Sequence, residues 1–299
     1  AGKQDPLDFA LWKTAKPDEP AWSSPWGKGR PGWHIECSAM STKYLGDEFD
    51  IHGGGVDLVF PHHENEITQA QAAGKKFARF WIHNGLLTVD GEKMSKSLGN
   101  FITVEQALKE CGEPDVLKMF FLSAHYRSPI DFTKDGVLAT VRRYFHHIFF
   151  MDRGLGRVGG VTSASSPKIE ELSNEFLRVM DEDLNTPQAL AVLDKISNLG
   201  LQTLAQLNTE SRQSEDALPL KQEIRSALDT LKGLGSVLGL FGQYTYRGVG
   251  QDVEKLLEDR EAARRRKDFK AADTIREQLR QKGIEIEDTP SGPIPHRIR

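Results

Sequence analysis

Apolar residues follow two different patterns along the chain. In the first part, short apolar stretches alternate with Gly and Pro, so residues 47–51 and 86–89 predict short strands. Pro61 predicts the start of a helix that continues to Ala73, because the missing N–H of proline costs nothing at the first helical position. Thr103 predicts a helix N-cap, since its hydroxyl can accept from the first unpaired N–H groups. This part therefore mixes short strands with helices.

The later part has a helical period. After a Ser-rich linker at residues 164–167, apolar residues recur every three or four positions in three separate stripes. The stripes contain Ile169, Leu172, Phe176, Val179 and Met180, then Leu190, Leu193 and Ile196, then Leu220, Ile224, Leu228 and Leu231. Because loops join them, they predict an antiparallel helical bundle. Residues 243–251 predict a second domain boundary. Beyond it we predict two helices, the second of which ends at a Gly283 C-cap, and then a strand at residues 284–287, where apolar and polar residues alternate.

Composition limits the possible classes of protein. A chain of 299 residues predicts two or three domains, at ~150 residues per domain. Its 39 basic and 43 acidic residues give a net charge of −4, which excludes a uniformly basic nucleic-acid coat but leaves local basic patches possible. The two cysteines, Cys37 and Cys111, exclude a disulfide framework. No apolar run approaches the ~20 residues of a membrane span and residues 1–13 lack a signal-peptide core, so we expect a cytoplasmic protein without membrane contact.

Cys37, His62 and Glu66 are the first candidates for chemistry. His62 and Glu66 are four residues apart, so on a helix both side chains point from one face. With the Cys37 thiolate they would form a Cys/His/Glu set suited to Zn²⁺, with one ligand still wanting. On spacing alone, a buried free cysteine beside a solvated helix face is the better alternative. The same helical interpretation turns His63 away from this face.

A glycine run follows the first predicted strand. Gly53, Gly54 and Gly55 lack a Cβ, so a planar or phosphorylated ligand could approach their backbone closely. Asp57 could accept hydrogen bonds from a ribose. An ordinary glycine turn explains the pattern equally well, since it matches neither a Walker loop nor a dinucleotide fingerprint.

Residues 93–97, KMSKS, are the most specific string in the chain. The ammonium groups of Lys93 and Lys96 suit the charge that builds on phosphate oxygens when pyrophosphate departs. A solvated turn does not account for the complete five-residue string, which is followed by Leu-Gly-Asn.

These strings together resemble the cysteinyl-tRNA synthetases. KMSKS matches the second signature of the class I aminoacyl-tRNA synthetases, and four further stretches narrow the resemblance. They are GWHIECS at 32–38, HGGGVDL at 52–58, FPHHENE at 60–66 and WIHNG at 81–85. The resemblance covers the whole chain, including residues 267–290.

The resemblance implies an α/β fold, the second half of a class I Rossmann-like nucleotide-binding domain, followed by an antiparallel helical bundle and a small α+β C-terminal domain. The implied bounds are residues 1–125 for the catalytic part, 126–245 for a tRNA-binding bundle and 250–299 for a domain at the anticodon end. It also implies a cytoplasmic monomer that works in protein biosynthesis.

The resemblance also assigns roles to residues. Cys37, His62 and Glu66 would bind Zn²⁺, which selects the substrate thiolate, and Trp33 and His52 would line the amino-acid pocket. Lys93 and Lys96 would be catalytic and hold the phosphates of ATP, supplied with Mg²⁺. The residues expected to flank the adenosine are Gly53, Gly54, Gly55, Asp57, His83, Asn84 and Gly85.

The implied reaction is the ligation of L-cysteine to tRNA(Cys) through a cysteinyl-adenylate. Residues 264–267 (RRRK) and Lys270 would contact tRNA phosphates, although a solvated helix face explains these charges about equally well. No side-chain nucleophile is needed, so Cys111 has no assigned role and we expect it to be buried.

Two features of the family's first half are absent from this sequence: the signature with two histidines around Ile-Gly, and the upstream cysteine that supplies the remaining zinc ligand. We therefore expect the chain to be the C-terminal portion of the enzyme and nearly inactive alone. Two alternatives stay open. One is a ligase that joins cysteine to an amino sugar, as in mycothiol synthesis, and the other is a non-catalytic tRNA- or zinc-binding fragment. The long helical region after Ser165 favours tRNA as the acceptor.

Overall fold

The computed structural model describes residues 3–95, 97–209, 217–242, 244, 251–282, 284–289 and 292–297. The chain forms two compact units. The first comprises Ala1–Leu86 and Tyr126–Pro129, and the second comprises Leu87–His125 and Ile130–Arg299.

The first unit is built around a β-α-β crossover. Its elements are β1 (Trp12–Thr14), β2 (Gly29–Pro31), α1 (Trp33–Leu45), β3 (Glu48–Gly55), a 3₁₀ turn (Val56–Leu58), a π-helical turn (Val59–His63), α2 (Glu64–Ala72) and β4 (Phe77–Asn84). Strands β1 and β2 pair antiparallel, whereas β3 and β4 pair parallel, with His52 opposite Trp81 and Gly54 opposite His83. A small core of Phe49, Ala70 and Phe77 packs between this pair and α2.

The helix predicted from Pro61 begins later than expected. Helix α2 starts at Glu64, and the residues before it form the π-helical turn, in which Phe60 has a non-helical backbone (φ −132°, ψ 133°). The proline therefore lies inside an irregular turn, and His62 and His63 do not belong to a regular α-helix.

The second unit contains the remaining strands and most of the helices. They are β5 (Leu87–Val89), β6 (Glu92–Lys93), α3 (Val104–Cys111), α4 (Pro114–Leu122), β7 (Ile130–Phe132), α5 (Lys134–Arg157), α6 (Pro167–Asp181), α7 (Thr186–Thr209), α8 (Ala217–Val237), α9 (Gln251–Arg265), α10 (Phe269–Gln281), β8 (Ile284–Thr289) and β9 (Gly292–Arg297). Strand β5 pairs antiparallel with β6 and parallel with β7, while β8 and β9 form an antiparallel hairpin. Among the described residues, no helix is both long enough and apolar enough to cross a bilayer.

The local predictions in this unit agree with the structure. Thr103 caps α3 through a capping box: its hydroxyl accepts from the Gln106 N–H at 3.2 Å, and the Gln106 side chain accepts from the Thr103 N–H at 2.8 Å. The three predicted stripes become α6, α7 and α8, and Cys111 is buried at the end of α3 as expected. The proposed Gly283 cap lies outside the described residues.

Helix α5 was not predicted, although with 24 residues it is as long as any helix described. The sequence does contain a helical stripe here, since Val137, Val141, Tyr144, Ile148, Met151 and Leu155 recur every three or four positions. Packing explains the glycines that lie in and beside this helix. Gly154 of α5 lies against Leu228 of α8, and Gly200 of α7 leaves room for the Phe150 ring of α5. The small residues allow the helices to approach.

A polar network also joins α5 to α7. Arg143 donates two hydrogen bonds to Asp194, at 3.0 and 2.6 Å, and His147 Nε2 lies 3.2 Å from the same carboxylate. The other ring nitrogen of His147 lies 2.8 Å from the Ser197 hydroxyl. Burial by itself would raise the pKa of the Asp194 carboxyl, but His147 and Arg143 outweigh burial and hold that pKa below its ordinary value.

Substituting Gly200→Ala should destabilise the helical bundle, because a Cβ at this position would collide with the Phe150 ring. We expect a loss of ~1–3 kcal/mol from overpacking. The matched control is Gly233→Ala in α8, where nothing lies within 4 Å of the added Cβ and helix propensity should add up to ~1 kcal/mol. Urea unfolding followed by helical circular dichroism measures both, and equal effects of the two substitutions would contradict the packing explanation.

Asp194→Asn should lower stability at pH 7 and reduce its acid dependence. The folded-state pKa of Asp194 is depressed, so its ionisation stabilises the fold above the unfolded-state pKa of about 3.9, and this contribution is lost as the pH falls through the folded-state value. Urea midpoints at pH 7 and pH 3 measure the difference. We expect the difference between the two proteins to be larger at pH 7 than at pH 3, whereas a constant difference would show that Asp194 is not ionised in the fold.

Candidate functional site

The three predicted metal ligands lie together in the first unit. The Cys37 thiol, a His62 ring nitrogen and a Glu66 carboxylate oxygen all lie within 4.8 Å of one another. Helix α1 supplies the cysteine, the π-helical turn supplies the histidine, and α2 supplies the glutamate. His62 and Glu66 are buried, so the alternative of a solvated helix face is wrong.

Packing between the two helices fixes the cysteine in place. The Ser38 hydroxyl, next to Cys37 in α1, donates to Gln69 Oε1 of α2 at 2.7 Å, and both side chains are buried. This bond joins the helix that carries the thiol to the helix that carries the carboxylate.

The Glu66 carboxylate lies at the centre of the cluster. It is completely buried, and its two oxygens lie 2.7 Å from His62 Nε2 and 2.8 Å from His52 Nε2. Among the described residues, however, neither oxygen accepts a well-directed hydrogen bond. A buried carboxylate without such donors is unfavourable unless a cation compensates it, so the donor set fits a divalent metal ion.

The electrostatics of the thiol support the same conclusion. Burial raises the pKa of Cys37, and the nearby Glu66 charge raises it further. Without a cation the thiol therefore stays protonated. A soft divalent ion would bind the thiolate instead, and its binding would release the proton.

Further histidines surround the cluster. His34 Nδ1 lies 2.7 Å from His62 Nδ1, which leaves Nε2 of His62 to face Glu66. His63 joins His52 and Glu66 in a second group whose ligand atoms lie within 4.8 Å, and its Nδ1 is 2.8 Å from His83 Nε2.

The expectation that His63 turns away is therefore wrong. His63 and Glu66 are three residues apart, a spacing at which helical side chains are neighbours, and His63 has a helical backbone (φ −67°, ψ −38°) at the end of the π-helical turn. Its ring therefore lies near Glu66 and beside Gly54. Burial lowers the pKa of both His34 and His63, which favours their neutral forms.

Two tryptophans form walls around the histidines. The Trp33 ring stacks on the His62 ring at 4.3 Å between centroids, with an interplanar angle of 26°, and its side chain is 55% exposed. Trp81 lies 4.8 Å from the His52 ring and 5.1 Å from the His63 ring. Trp33 thus contacts the cluster through the His62 ring and His52 contacts it through Glu66, while their role in an amino-acid pocket stays a prediction. Trp81 was missed as a site residue, although the WIHNG string contains it.

The predicted nucleotide residues gather at one edge of the β3–β4 pair. Gly54 is opposite His83 and Gly55 is opposite Asn84, at the carboxyl ends of the two parallel strands. Such an edge is where ligands bind in open α/β sheets. Asp57 lies on the 3₁₀ turn that follows β3 and is exposed.

The glycines here are also required by the protein's own packing. A Cβ at Gly54 would lie 2.9 Å from the His63 ring, and one at Gly85 would collide with the Ser128 backbone. The Gly85 N–H donates to the Tyr126 carbonyl at 2.7 Å. The glycine run is therefore more than an ordinary turn, but nucleotide binding at this edge stays a prediction.

The lysine string lies in the second unit. Lys93 ends β6 and its side chain is exposed, while Lys96 lies outside the described residues. In the C-terminal part, Arg264 pairs with Asp288, while Arg265, Arg266 and Lys267 are exposed. Phe269, beside them at the start of α10, is 61% exposed.

Family models match most of the chain in three segments. Residues 1–142 match the catalytic domain of the tRNA synthetases class I (C), residues 175–242 match the DALR domain, and residues 247–292 match the cysteinyl-tRNA ligase anticodon binding domain. The predicted domain bounds of 1–125, 126–245 and 250–299 stay a prediction.

Relatives with high identity carry the name cysteine–tRNA ligase. The chain is 46% identical over 297 residues to the protein of Streptomyces avermitilis, covering 98% of this chain and 62% of the relative. It is 48% identical to that of Moorella thermoacetica, with 97% and 63% covered, and 43% identical to that of Thermococcus gammatolerans, with 100% and 63% covered. The chain thus spans somewhat under two thirds of the length of these relatives.

Solved structures confirm the fold class. A Mycobacterium tuberculosis methionyl-tRNA synthetase in complex with methionyl-adenylate matches with a TM-score of 0.52 at 16% identity, covering 68% of this chain and 46% of that one. An Agrobacterium radiobacter LeuRS matches with a TM-score of 0.51 at 15% identity, covering 78% and 36%. The predicted α/β fold followed by a helical bundle is therefore that of the class I synthetases. With three domain models in sequence and more than 40% identity to its relatives, the chain belongs to the cysteinyl-tRNA synthetase family.

Proposed function

We propose that the chain provides the cysteine-selecting and tRNA-binding part of a cysteine–tRNA ligase. In this reaction ATP converts L-cysteine to cysteinyl-adenylate, and the cysteinyl group then passes to the 3′ end of tRNA(Cys). The observation that carries the proposal is the Cys37–His62–Glu66 cluster, in which His62 and Glu66 are buried and, among the described residues, neither Glu66 oxygen accepts a well-directed hydrogen bond.

The cluster suits the discrimination that this substrate requires. Cysteine and serine differ in one atom, and shape alone separates such near-isosteres by ~1–3 kcal/mol. Bound Zn²⁺ would supply selectivity for the soft sulfur of the substrate over a hydroxyl. Cys37, His62 and Glu66 would hold the ion, and Trp33 and His52 would enclose the amino acid beside it.

The other steps depend on positioning rather than on a side-chain nucleophile. The carboxyl edge of β3 and β4, with Gly53–Gly55, His83, Asn84 and Gly85, would receive the adenosine. Lys93 and Lys96, together with the Mg²⁺ of the substrate, would stabilise the charge that develops on the departing pyrophosphate.

The C-terminal part supports tRNA as the acceptor. Its model match is to an anticodon binding domain, and the exposed basic residues 265–267 adjoin the exposed Phe269 ring. Cationic side chains suit phosphates and an aromatic face suits an unstacked base. An amino-sugar acceptor would leave this domain without a role, so that alternative is not favoured.

We also propose that the metal is Zn²⁺ and that the protein is a cytoplasmic monomer. The Cys/His/Glu donor set supports zinc, the low cysteine content supports a cytoplasmic location, and the resemblance to the family supports the monomeric state.

The metal assignment can be tested on the chain itself. We expect the purified chain to retain about one zinc ion. His62→Ala and Glu66→Gln should each weaken zinc binding by at least ~10–100-fold, because that loss is typical even when only a hydrogen-bond partner of a metal ligand is removed. His146→Ala in α5 is the matched control. Metal content after dialysis and competition with a chromophoric chelator give the readout. Unchanged zinc affinity in His62→Ala would exclude it as a ligand.

The division of the active site can be tested by complementation. We expect the chain alone to show at most ~1% of the ATP–pyrophosphate exchange seen when the N-terminal segment of the Streptomyces avermitilis relative is supplied, because misplacing reacting groups costs ~10²-fold or more. Charging of tRNA(Cys), compared with an amino-sugar acceptor, then identifies the product. Full exchange by the chain alone would contradict the expectation that it needs the supplied segment. Ligation of cysteine to the amino sugar would contradict the proposal that tRNA is the acceptor.

A further inference from the structure

The lysine loop, residues 93–100, is closed on itself by one side chain. Asn100 Oδ1 accepts a hydrogen bond from the Ser95 N–H at 2.8 Å, and Asn100 Nδ2 donates to the Lys93 carbonyl at 3.2 Å. An N–H can only donate and a carbonyl can only accept, so a single orientation of the amide satisfies both contacts. Asn100 thereby joins the end of the loop to its beginning.

Shorter contacts organise the interior of the loop. The Ser95 hydroxyl accepts from the Leu98 N–H at 3.2 Å and lies 3.2 Å from the Ser97 hydroxyl. Gly99 has φ +71°, a conformation that favours glycine, and it directs the chain back to Asn100. The described residues of the loop, 93–95 and 97–100, therefore form a defined turn.

The other end of the loop is held by the neighbouring strand. Asp131 of β7 accepts from the Thr88 hydroxyl at 2.7 Å and from the Gly91 N–H at 2.9 and 3.1 Å. Gly91 lies in the tight turn between β5 and β6, two residues before Lys93. The hairpin that carries the loop is thus anchored by a carboxylate, while the loop is closed by an amide.

We propose that Asn100 is a positioning residue for the lysines that hold the ATP phosphates. The inference rests on the proposed function of this loop. Asn100 fixes the main chain at Lys93 and at Ser95, which lie on either side of Met94, and Ser95 precedes Lys96 in sequence. Because this main chain is already restricted, the two lysines lose less conformational freedom when their ammonium groups bind ATP.

The amide at position 100 meets a requirement that other short side chains do not meet. Aspartate can accept from the Ser95 N–H but cannot donate to the Lys93 carbonyl, and alanine can do neither. Asn100 is only half-buried and residues 97–99 are exposed, so its two bonds add little to the core. Removing them should loosen the loop without unfolding the unit.

The first test follows exchange of the Ser95 amide in the chain by NMR. Asn100→Ala should accelerate it about tenfold, the effect of losing one net hydrogen bond, whereas Asn100→Asp should retain most of the protection. Asn174→Ala, at an exposed site in α6, is the control and should change nothing. Unchanged Ser95 exchange in Asn100→Ala overturns the inference.

The second test uses the complemented enzyme with the N-terminal segment supplied. Asn100→Ala should lower kcat/KM for ATP about tenfold in pyrophosphate exchange and leave KM for cysteine unchanged, because the cysteine pocket belongs to the other unit. An equal loss for both substrates would indicate a merely structural role and overturn the inference. If the unsubstituted assembly shows no exchange, the proposed function fails and the positioning role with it, whereas unchanged Ser95 exchange counts against Asn100 alone.

Discussion

The buried Glu66 carboxylate is the constraint on which the first unit depends. It lies between two imidazoles and beside a thiol, it is completely inaccessible to water, and it receives no well-directed hydrogen bond from the described residues. Such a group is tolerated when an opposite charge compensates it. The elements around it each contribute one donor atom. The fold of this unit therefore brings together the groups that a compensating metal ion would need.

The edge of the β3–β4 pair that is proposed to bind the nucleotide is built from the same strand as this cluster. His52 contacts Glu66 from β3, and the next three residues of that strand are the glycines that reach the carboxyl end of the parallel pair. One strand therefore connects the Cys37–His62–Glu66 cluster to the proposed adenosine site. The glycines are fixed there by their own neighbours, His63 above all, which explains why a side chain is excluded even without a bound ligand.

The second unit holds the charged groups of the lysine loop on a rigid support. The lysine loop is held by Asp131 and Asn100, and the helices behind it are joined by the Arg143–Asp194–His147 network. In both cases polar side chains fix a geometry that apolar packing alone would leave less specific.

The sequence by itself determined the family, the fold class, the Thr103 cap, three bundle helices and the Cys/His/Glu set, because these follow from short strings or from regular spacing. Tertiary structure decided the rest. The close approach of α5 to α7 and α8 depends on Gly200 and Gly154, which leave room for Phe150 and Leu228, and the position of Trp81 beside the histidines depends on its pairing opposite His52. Burial and close approach are properties of packed neighbours that a linear pattern does not contain.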